Sequence, residues 1–264
     1  MLGRAYRRIA DRLGLLLEQR DELTPPAWMF SDPDRLDGSH DLREFISVGD
    51  ATVAWFIEEG LAPAHRVLDV GCGIGRMALP LTKHLARGGT YDGIEIAPWK
   101  VRYCRSSIGK RWRNFRFHHA DVFNKYYNPD GRLAASAYAF PFSDESFDFA
   151  FLVSVFTHML PDDLEHYLSE IGRVLKRGAK CIASFWLTDA KRGTPYYDYS
   201  AVCEIANRQE PEHGVFYLER HVLALYTRYG FDRVTVKHGS WIARPDSCTA
   251  HRQDIVVAVK NGRA

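Results

Sequence analysis

The residues whose types and spacing most plainly suggest chemistry are three glycines that follow a short apolar run. Gly71, Gly73 and Gly75 come directly after residues 67–70 and alternate with other residue types. Glycine has no Cβ, so it permits a sharp turn and lets a ligand approach the backbone closely. A helical pattern begins at Met77, and the first turn of a helix offers free N–H groups. The order strand, glycine loop, helix predicts a loop that binds a small molecule.

Two classes of ligand use such a loop, and the glycine spacing helps to separate them. The dinucleotide fingerprint has glycines at relative positions 1, 3 and 6, whereas position 6 here is Arg76 and the third glycine stands at position 5. Asp69 would repel a pyrophosphate but suits a ligand that carries an ammonium group. The spacing disfavours a nicotinamide or flavin oxidoreductase. On these residues alone, a simple tight turn remains an alternative.

Further candidates lie where later strands are predicted to end, which is the edge where parallel α/β sheets bind ligands. Glu95 ends the second predicted strand, 20 residues after Gly75, and a carboxylate there can accept two hydrogen bonds from a ribose diol. Trp99 could pack on a base or belong to the core. His158 ends the fourth predicted strand and could take a proton from a hydroxyl group or simply shape the pocket. His251 is a second candidate for this role.

Strands and helices are predicted to alternate along the chain, which indicates an α/β fold with a doubly wound, Rossmann-like sheet and helices on both faces. Asp50 is predicted to cap the helix that precedes the first strand. We expect an N-terminal helix and lid segment at 1–49 and the main domain at 50–264, with insertions at about 123–138 and 188–215. The second insertion is predicted to contain a short helix.

Taken together, these motifs resemble those of class I S-adenosylmethionine-dependent methyltransferases. The resemblance rests on VLDVGCGIG at 67–75, GIEIAP at 93–98, Asp121 and PFSDESFD at 141–148, and it covers roughly residues 50–187. It implies seven strands with the last antiparallel between two others, S-adenosyl-L-methionine as the cofactor, Glu95 as the ribose-binding acid and Asp121 as the acceptor for the adenine amino group. The cofactor-binding residues that we assign on this basis are Asp69, Gly71, Cys72, Gly73, Gly75, Glu95, Ile96, Trp99, Asp121, Val122 and Ser154.

The expected reaction is in-line methyl transfer to a small-molecule acceptor, with a hydroxyl favoured and His158 as the catalytic base. The aromatic residues that could bind a flat or apolar acceptor are Trp186, Tyr196, Tyr197 and Trp241. The alternatives are an RNA or protein methyltransferase and a non-catalytic protein that binds S-adenosylmethionine. Residues 100–119 hold seven Lys or Arg and no acid. We interpret them mainly as a solvated helix face, so a nucleic-acid partner is disfavoured.

Composition sets the remaining limits. The chain has 264 residues, of which 46% are hydrophobic and 26% charged, and a net charge of +2, as in an ordinary globular domain with additions. Five cysteines without a C-x-x-C pair argue against a zinc site or disulfide framework and fit a reducing, cytoplasmic compartment. No apolar run approaches the roughly 18 residues of a membrane span.

Residues 2–17 predict a basic amphipathic helix that docks on the body or touches a membrane surface. The resemblance also makes Phe30, Arg43 and Phe45 candidates for a lid over the cofactor. The sequence makes no prediction of oligomeric state.

Overall fold

The computed structural model describes Leu23, Pro25, Met29 and residues 42–261, apart from 86–87, 194 and 248–250. The chain divides into two compact units, Met1–Ala120 and Asp121–Ala264. The predicted helix at 2–17 and the lid candidate Phe30 lie outside the described residues. No helix in the described part of the chain is both long and apolar enough to cross a membrane.

The first unit contains three parallel strands, of which the second in chain order lies between the first and the third. The apolar residues of the first strand are fully buried, as predicted for a strand covered on both faces. The elements of this unit are α1 (Leu42–Glu58), β1 (Arg66–Val70), α2 (Ala78–His84), β2 (Thr90–Glu95), α3 (Pro98–Cys104), which continues as a π-helical turn (Arg105–Gly109), and β3 (Phe115–His119).

The helix before the first strand is longer than predicted. It already runs from Leu42, so Asp50 is a buried residue of its interior and the prediction of an N-cap was wrong. Gly49 lets this helix pack closely against the backbone at Arg76, because a Cβ at position 49 would collide with the carbonyl oxygen of Arg76. Of the lid candidates, Phe45 is fully buried in α1 and Arg43 is exposed on the same helix.

The second unit is built around the long strand β5. Its elements are β4 (Phe147–Leu152), α4 (Pro161–Val174), β5 (Leu175–Thr188), β6 (Tyr197–Asp198), β7 (Cys203–Ile205), β8 (Val215–Leu218), α5 (Glu219–Arg228), β9 (Phe231–Lys237) and β10 (Asp254–Lys260). β4 runs parallel to β5, and β10 lies antiparallel between β5 and β9. The predicted α/β class, with a last antiparallel strand between two others, is confirmed.

The second insertion corrects the predicted strand number. Among the described residues the strands number ten rather than seven. The three additional strands, β6 to β8, come from residues 197–218, where a short helix was predicted and only a 3-10 turn, Pro211–His213, is helical. β8 pairs in parallel with the last residues of β5, Trp186 to Thr188. The insertion therefore extends the sheet at the carboxyl end of β5.

A histidine just after β9 links two segments of the second unit. His238 contacts Glu219 through Nε2 at 2.7 Å and Asp246 through Nδ1 at 2.6 Å. Burial lowers the pKa of His238, but the hydrogen bonds to the two carboxylates outweigh burial and raise the pKa above its ordinary value. This link between α5 and the loop before β10 is therefore strongest when the imidazole is protonated.

Candidate functional site

The glycine loop has the backbone geometry that its residues predict. Gly71, Gly73 and Gly75 have φ angles of +82°, +57° and +85°, in the left-handed region that residues with a Cβ rarely adopt. The N–H groups of Gly71 and Cys72 both donate to the carbonyl oxygen of Ile94, at 2.8 and 3.0 Å. The loop is thus fixed to the end of β2. A Cβ on Gly73 would meet no heavy atom within 4 Å, so this side of the loop is open to a ligand.

The third glycine packs the loop closely against the next helix. A Cβ on Gly75 would lie 2.7 Å from Cδ1 of Ile108, in the π-helical turn after α3. In the dinucleotide fingerprint, a glycine at position 6 serves helix–strand packing. Here the glycine at position 5 has a similar packing role, which explains how the loop tolerates Arg76 in the next position.

Glu95 joins the loop to the start of α3. Its Oε2 accepts from the N–H of Gly73 at 2.9 Å, and its Oε1 accepts from the N–H of Ala97 at 2.8 Å. The residue is 6% exposed at the end of β2. Each carboxylate oxygen can accept a second hydrogen bond. The residue predicted to bind a ribose therefore also holds the open glycine of the loop in place, a role that its position at a strand end did not reveal.

Asp69 lies below the loop and has an unusual environment. It is fully buried, and its Oδ2 accepts from the Tyr91 hydroxyl at 2.6 Å. Within the described residues its buried Oδ1 has no hydrogen-bond partner. Burial raises the pKa of Asp69 to about 7, against the lowering effect of the Tyr91 hydrogen bond. A cationic group placed near this carboxylate would be stabilised by it.

The other predicted cofactor residues of the first unit follow β2. Ile96 is half-buried, and its carbonyl oxygen lies 3.1 Å from Nε2 of His119. Trp99 is half-buried in the first turn of α3, and the ammonium of Lys100 lies 5.7 Å from the centre of its ring. Eight of the predicted residues therefore belong to two segments of the first unit that hydrogen bonds join, the glycine loop and the end of β2 with the start of α3. They are Asp69, Gly71, Cys72, Gly73, Gly75, Glu95, Ile96 and Trp99.

Three predicted cofactor residues belong to the second unit. The Asp121 carboxylate forms an ion pair with the exposed Arg132, a partner that the sequence did not suggest. Val122 is buried and forms an isolated bridge with Leu133. Ser154, just after β4, has a φ of +60°, a strained value for a residue with a Cβ. Its N–H donates to Oγ of Ser184 at 2.7 Å, and its hydroxyl donates to Gln253 at 3.0 Å.

His158 lies in a 3-10 turn after β4 and contacts the second insertion. Its Nδ1 is 2.9 Å from the carbonyl oxygen of Glu212. The Glu212 carboxylate in turn accepts from Nδ2 of Asn124, in the first insertion, at 2.8 Å. Burial lowers the pKa of His158, although the hydrogen bond to the Glu212 carbonyl opposes this. The two predicted insertions thus meet beside the candidate base.

Most of the predicted aromatic residues form one cluster at the carboxyl end of β5. The ring of Trp241 lies 5.2 Å from that of Trp186 and 5.3 Å from that of Phe216, and the ring of Tyr196 lies 4.4 Å from that of Phe216. Phe216, on β8, was not predicted. Tyr197 was predicted with this group, but it is exposed and stacks under Arg208 instead, at 4.6 Å.

A buried carboxylate that the sequence did not indicate anchors one ring of the cluster, that of Trp241. Asp254, the first residue of β10, is fully buried and accepts from Nε1 of Trp241 at 2.5 Å and from the N–H of Leu187 at 2.7 Å. It also accepts from the N–H of Gly239 and from Arg244, both at 2.9 Å. Asp254 therefore fixes the orientation of Trp241 relative to the end of β5.

Comparison with known proteins connects this architecture to a family. Residues 68–183 match the family model described as a methyltransferase domain. The chain is 30% identical over 146 residues to 24-methylenesterol C-methyltransferase 2 of rice (Oryza sativa subsp. japonica), a match that covers 55% of this chain and 35% of the relative. It is also 30% identical over 138 residues to the O-methyltransferase cnsE of Penicillium expansum, covering 49% of this chain and 41% of that protein. The matches thus span less than half the length of these curated relatives.

A solved structure with the same fold extends over nearly the whole chain. Magnesium protoporphyrin IX methyltransferase (ChlM) from Synechocystis PCC 6803, solved with bound SAM, superposes with a TM-score of 0.52 at 16% identity and covers 96% of this chain and 97% of that one. The likeness at this identity concerns the fold. Together, the domain match over residues 68–183, the glycine loop with its strand-end acid and the antiparallel last strand identify a methyltransferase domain in this part of the chain, with the features of the class I S-adenosylmethionine-dependent fold.

Proposed function

We propose that the protein transfers the methyl group of S-adenosylmethionine to a hydroxyl of a small-molecule acceptor, with His158 as the general base. The observation that carries this proposal is the contact of His158 Nδ1 with the Glu212 carbonyl oxygen, at 2.9 Å. A carbonyl oxygen only accepts, so Nδ1 bears the proton and Nε2 of the neutral ring keeps its lone pair. That lone pair can receive a hydroxyl proton.

The protonation state of the ring supports this role. Burial lowers the pKa of His158 below its ordinary value, so the imidazole is neutral at neutral pH. Nε2 of His158 would take the hydroxyl proton while the acceptor oxygen receives the methyl group that S-adenosylmethionine would supply, with the sulfur as leaving group. The products are the methyl ether and S-adenosylhomocysteine, and the proton then leaves to solvent.

The residues of the glycine loop fit the cofactor of the family. The open side of Gly73 lets a ligand approach the backbone, and the remaining acceptor capacity of Glu95 suits a ribose diol. Oδ1 of buried Asp69 has no hydrogen-bond partner among the described residues, which suits the ammonium end of a methionine group. When bound, S-adenosylmethionine supplies an electrophilic methyl group on a sulfonium. In our proposal Trp99, Ile96, Cys72, Asp121, Val122 and Ser154 complete its site, as the resemblance implies.

The nature of the relatives supports a small acceptor. Proteins that match in sequence include sterol C-methyltransferases and O-methyltransferases, and we extend the idea of a small-molecule acceptor from them to this chain. The basic stretch at 100–119 adds little support for nucleic acid, because two of its arginines are engaged within the unit. Arg116 pairs with Asp92 at 2.7 Å, and Arg105 donates to the Phe117 carbonyl at 2.8 Å.

The proposal is tested by measuring methyl transfer from labelled S-adenosylmethionine to a panel of phenols, with wild type and His158→Ala. Removal of a general base typically costs about 10² to 10⁴ in rate, whereas cofactor affinity should not change. His166→Ala is a matched control, because His166 is also half-buried and its Nε2 lies 2.9 Å from a backbone carbonyl, that of Tyr138. Full activity in His158→Ala would rule out His158 as the general base. Transfer of the label to carbon atoms alone would show that the acceptor atom is carbon and not oxygen.

A further inference from the structure

Two arginines lie over the aromatic cluster of Trp186, Tyr196, Phe216 and Trp241. The guanidinium of Arg192 is 5.2 Å from the ring centre of Tyr196 and 5.6 Å from that of Trp241. The guanidinium of Arg252 is 5.8 Å from the ring centre of Trp186. The cluster therefore has a positive rim around an apolar surface.

Both guanidinium groups have hydrogen-bonding edges without a partner in the part of the chain that the structure describes. Within the described residues, neither Arg192 nor Arg252 has a carboxylate partner, and neither side chain donates a hydrogen bond. Stacking on a ring uses the face of a guanidinium, whereas its five N–H donors point outward in its plane. Both side chains are exposed. As far as the described residues go, these two cations over aromatic rings have N–H donors available for a planar anion.

The surrounding backbone is held in place, so the arrangement is preorganised. The buried carboxylate of Glu204, on β7, accepts from the N–H of Arg192 at 2.7 Å and from that of Gly193 at 2.8 Å. On the other side of the cluster, buried Asp254 orients Trp241 through its indole N–H. A rigid site loses less entropy on binding than a flexible one. The two buried carboxylates therefore hold the backbone at Arg192 and the ring of Trp241 in fixed positions.

We propose that this cluster binds the methyl acceptor and that the acceptor is a flat aromatic molecule with a carboxylate group; this rests on the function proposed above. The aromatic rings provide stacking surface for the acceptor ring. A guanidinium fork matches the bidentate geometry of a carboxylate, and each of the two arginines beside the rings offers one. The cluster also lies at the carboxyl end of the parallel strand β5, the edge where such sheets bind ligands.

Calorimetric titration of the full chain with 2-naphthoate and with its neutral counterpart 2-naphthamide tests the inference. A hydrogen bond to a charged group contributes about 1.5–3 kcal/mol, so naphthoate should bind about 10- to 100-fold more tightly than naphthamide. In Arg192→Ala/Arg252→Ala this preference should disappear, while the weak binding of naphthamide should change little. Replacing both arginines by lysine should restore only part of the preference, because lysine keeps the charge but lacks the planar fork.

Arg208→Ala provides the matched control. Arg208 is also exposed, also stacks on a tyrosine of the same insertion and lies outside the cluster. Its removal should leave the affinity for naphthoate unchanged. Equal affinity for the two probes, absence of naphthoate binding up to millimolar concentration, or equal losses in Arg208→Ala and the double variant would overturn the inference.

A parallel titration with S-adenosylhomocysteine separates this inference from the proposed function. Cofactor binding without a preference for naphthoate would refute the inferred class of acceptor, an aromatic carboxylate, but would leave the methyltransferase proposal intact. Naphthoate binding without cofactor binding would remove the methyltransferase proposal and leave the anion site. Thermal unfolding of each variant identifies any loss that comes from the fold.

Discussion

The carboxyl group of Asp69 should make both stability and cofactor binding depend on pH near neutrality. Burial raises its pKa to about 7 from an ordinary value of 3.8. A shift of about 3 pH units corresponds to about 4 kcal/mol between the ionised and neutral forms in the folded protein. This difference is a large fraction of the stability of a typical domain, which is about 5–15 kcal/mol. Asp69→Asn removes the titration while keeping an oxygen that can accept from Tyr91.

The sign of the effect follows from the direction of the shift. The folded protein binds the proton of Asp69 more tightly than the unfolded chain does. The stabilisation is therefore complete below the unfolded pKa, near 4, and is lost as the pH rises through the folded pKa of about 7. Relative to Asp69→Asn, the wild type should lose stability steadily between pH 4 and pH 7 and then level off.

Urea unfolding followed by circular dichroism at pH 5, 6, 7 and 8 measures this difference. The amide of the Asn variant adds a constant offset, so the slope against pH is the informative quantity. Tyr91→Phe should move the transition to higher pH, because the Tyr91 hydrogen bond lowers the pKa of Asp69. A difference between wild type and Asp69→Asn that stays constant from pH 5 to pH 8 would refute the reasoning.

The same group should control the affinity for the cofactor. If the ionised carboxylate faces the ammonium group, the dissociation constant of S-adenosylhomocysteine in the wild type should rise about tenfold for each pH unit below the pKa of Asp69. The Asn variant should bind more weakly at pH 8, and its affinity should lack this dependence on pH. Calorimetry in buffers with different ionisation enthalpies would also detect the proton released on binding.

Three further predictions concern the frame around the sites. Asp254→Asn leaves buried Arg244 without its anionic partner and should lower the free energy of unfolding by about 3–5 kcal/mol in urea; a change below about 1 kcal/mol would contradict the role of this pair. Gly75→Ala places a methyl group 2.7 Å from Ile108 at a φ of +85°, which should cost about 1–3 kcal/mol and weaken cofactor binding; an alanine variant that binds and unfolds like the wild type would count against this packing. Because the pKa of His238 is raised, its contribution is complete below its unfolded pKa, about 6.5, and is lost as the pH rises through the folded value; relative to His238→Asn, the wild type should be more stable at pH 6 than at pH 8.

The cofactor half of the fold could be predicted because its signals are local. Three glycines at fixed spacing determine the loop, and an acid at the end of the next strand lies beside it because neighbouring parallel strands end at the same edge. Even so, the two backbone hydrogen bonds that Glu95 accepts depend on the conformation of the loop in three dimensions. The early start of α1 was missed because Asp50 has the properties of a capping residue but is buried inside a longer helix.

The second unit was less predictable because its contacts come from distant segments. Asp254 lies opposite Phe185 only in the antiparallel register of β10 against β5, and no local pattern marks it as a buried acceptor of four hydrogen bonds. The strands β6 to β8 were missed because two of them are only two and three residues long. The aromatic residues were recognised by type, but their grouping, which includes Phe216 and excludes Tyr197, depends on how β8 pairs with β5.

Calorimetric titration of S-adenosylmethionine and S-adenosylhomocysteine into the wild type and Glu95→Ala tests the central claim most directly. The loss of two charge-assisted hydrogen bonds to the ribose, at about 1.5–3 kcal/mol each, predicts a loss of affinity of about 10² to 10⁴. An analogue without ribose hydroxyls should lose less affinity in the variant than S-adenosylhomocysteine does, because its loss reflects only the loop that Glu95 holds through Gly73 and Ala97. Micromolar binding that Glu95→Ala abolishes is the result that our account predicts. A folded wild type that binds neither compound would contradict the methyltransferase function.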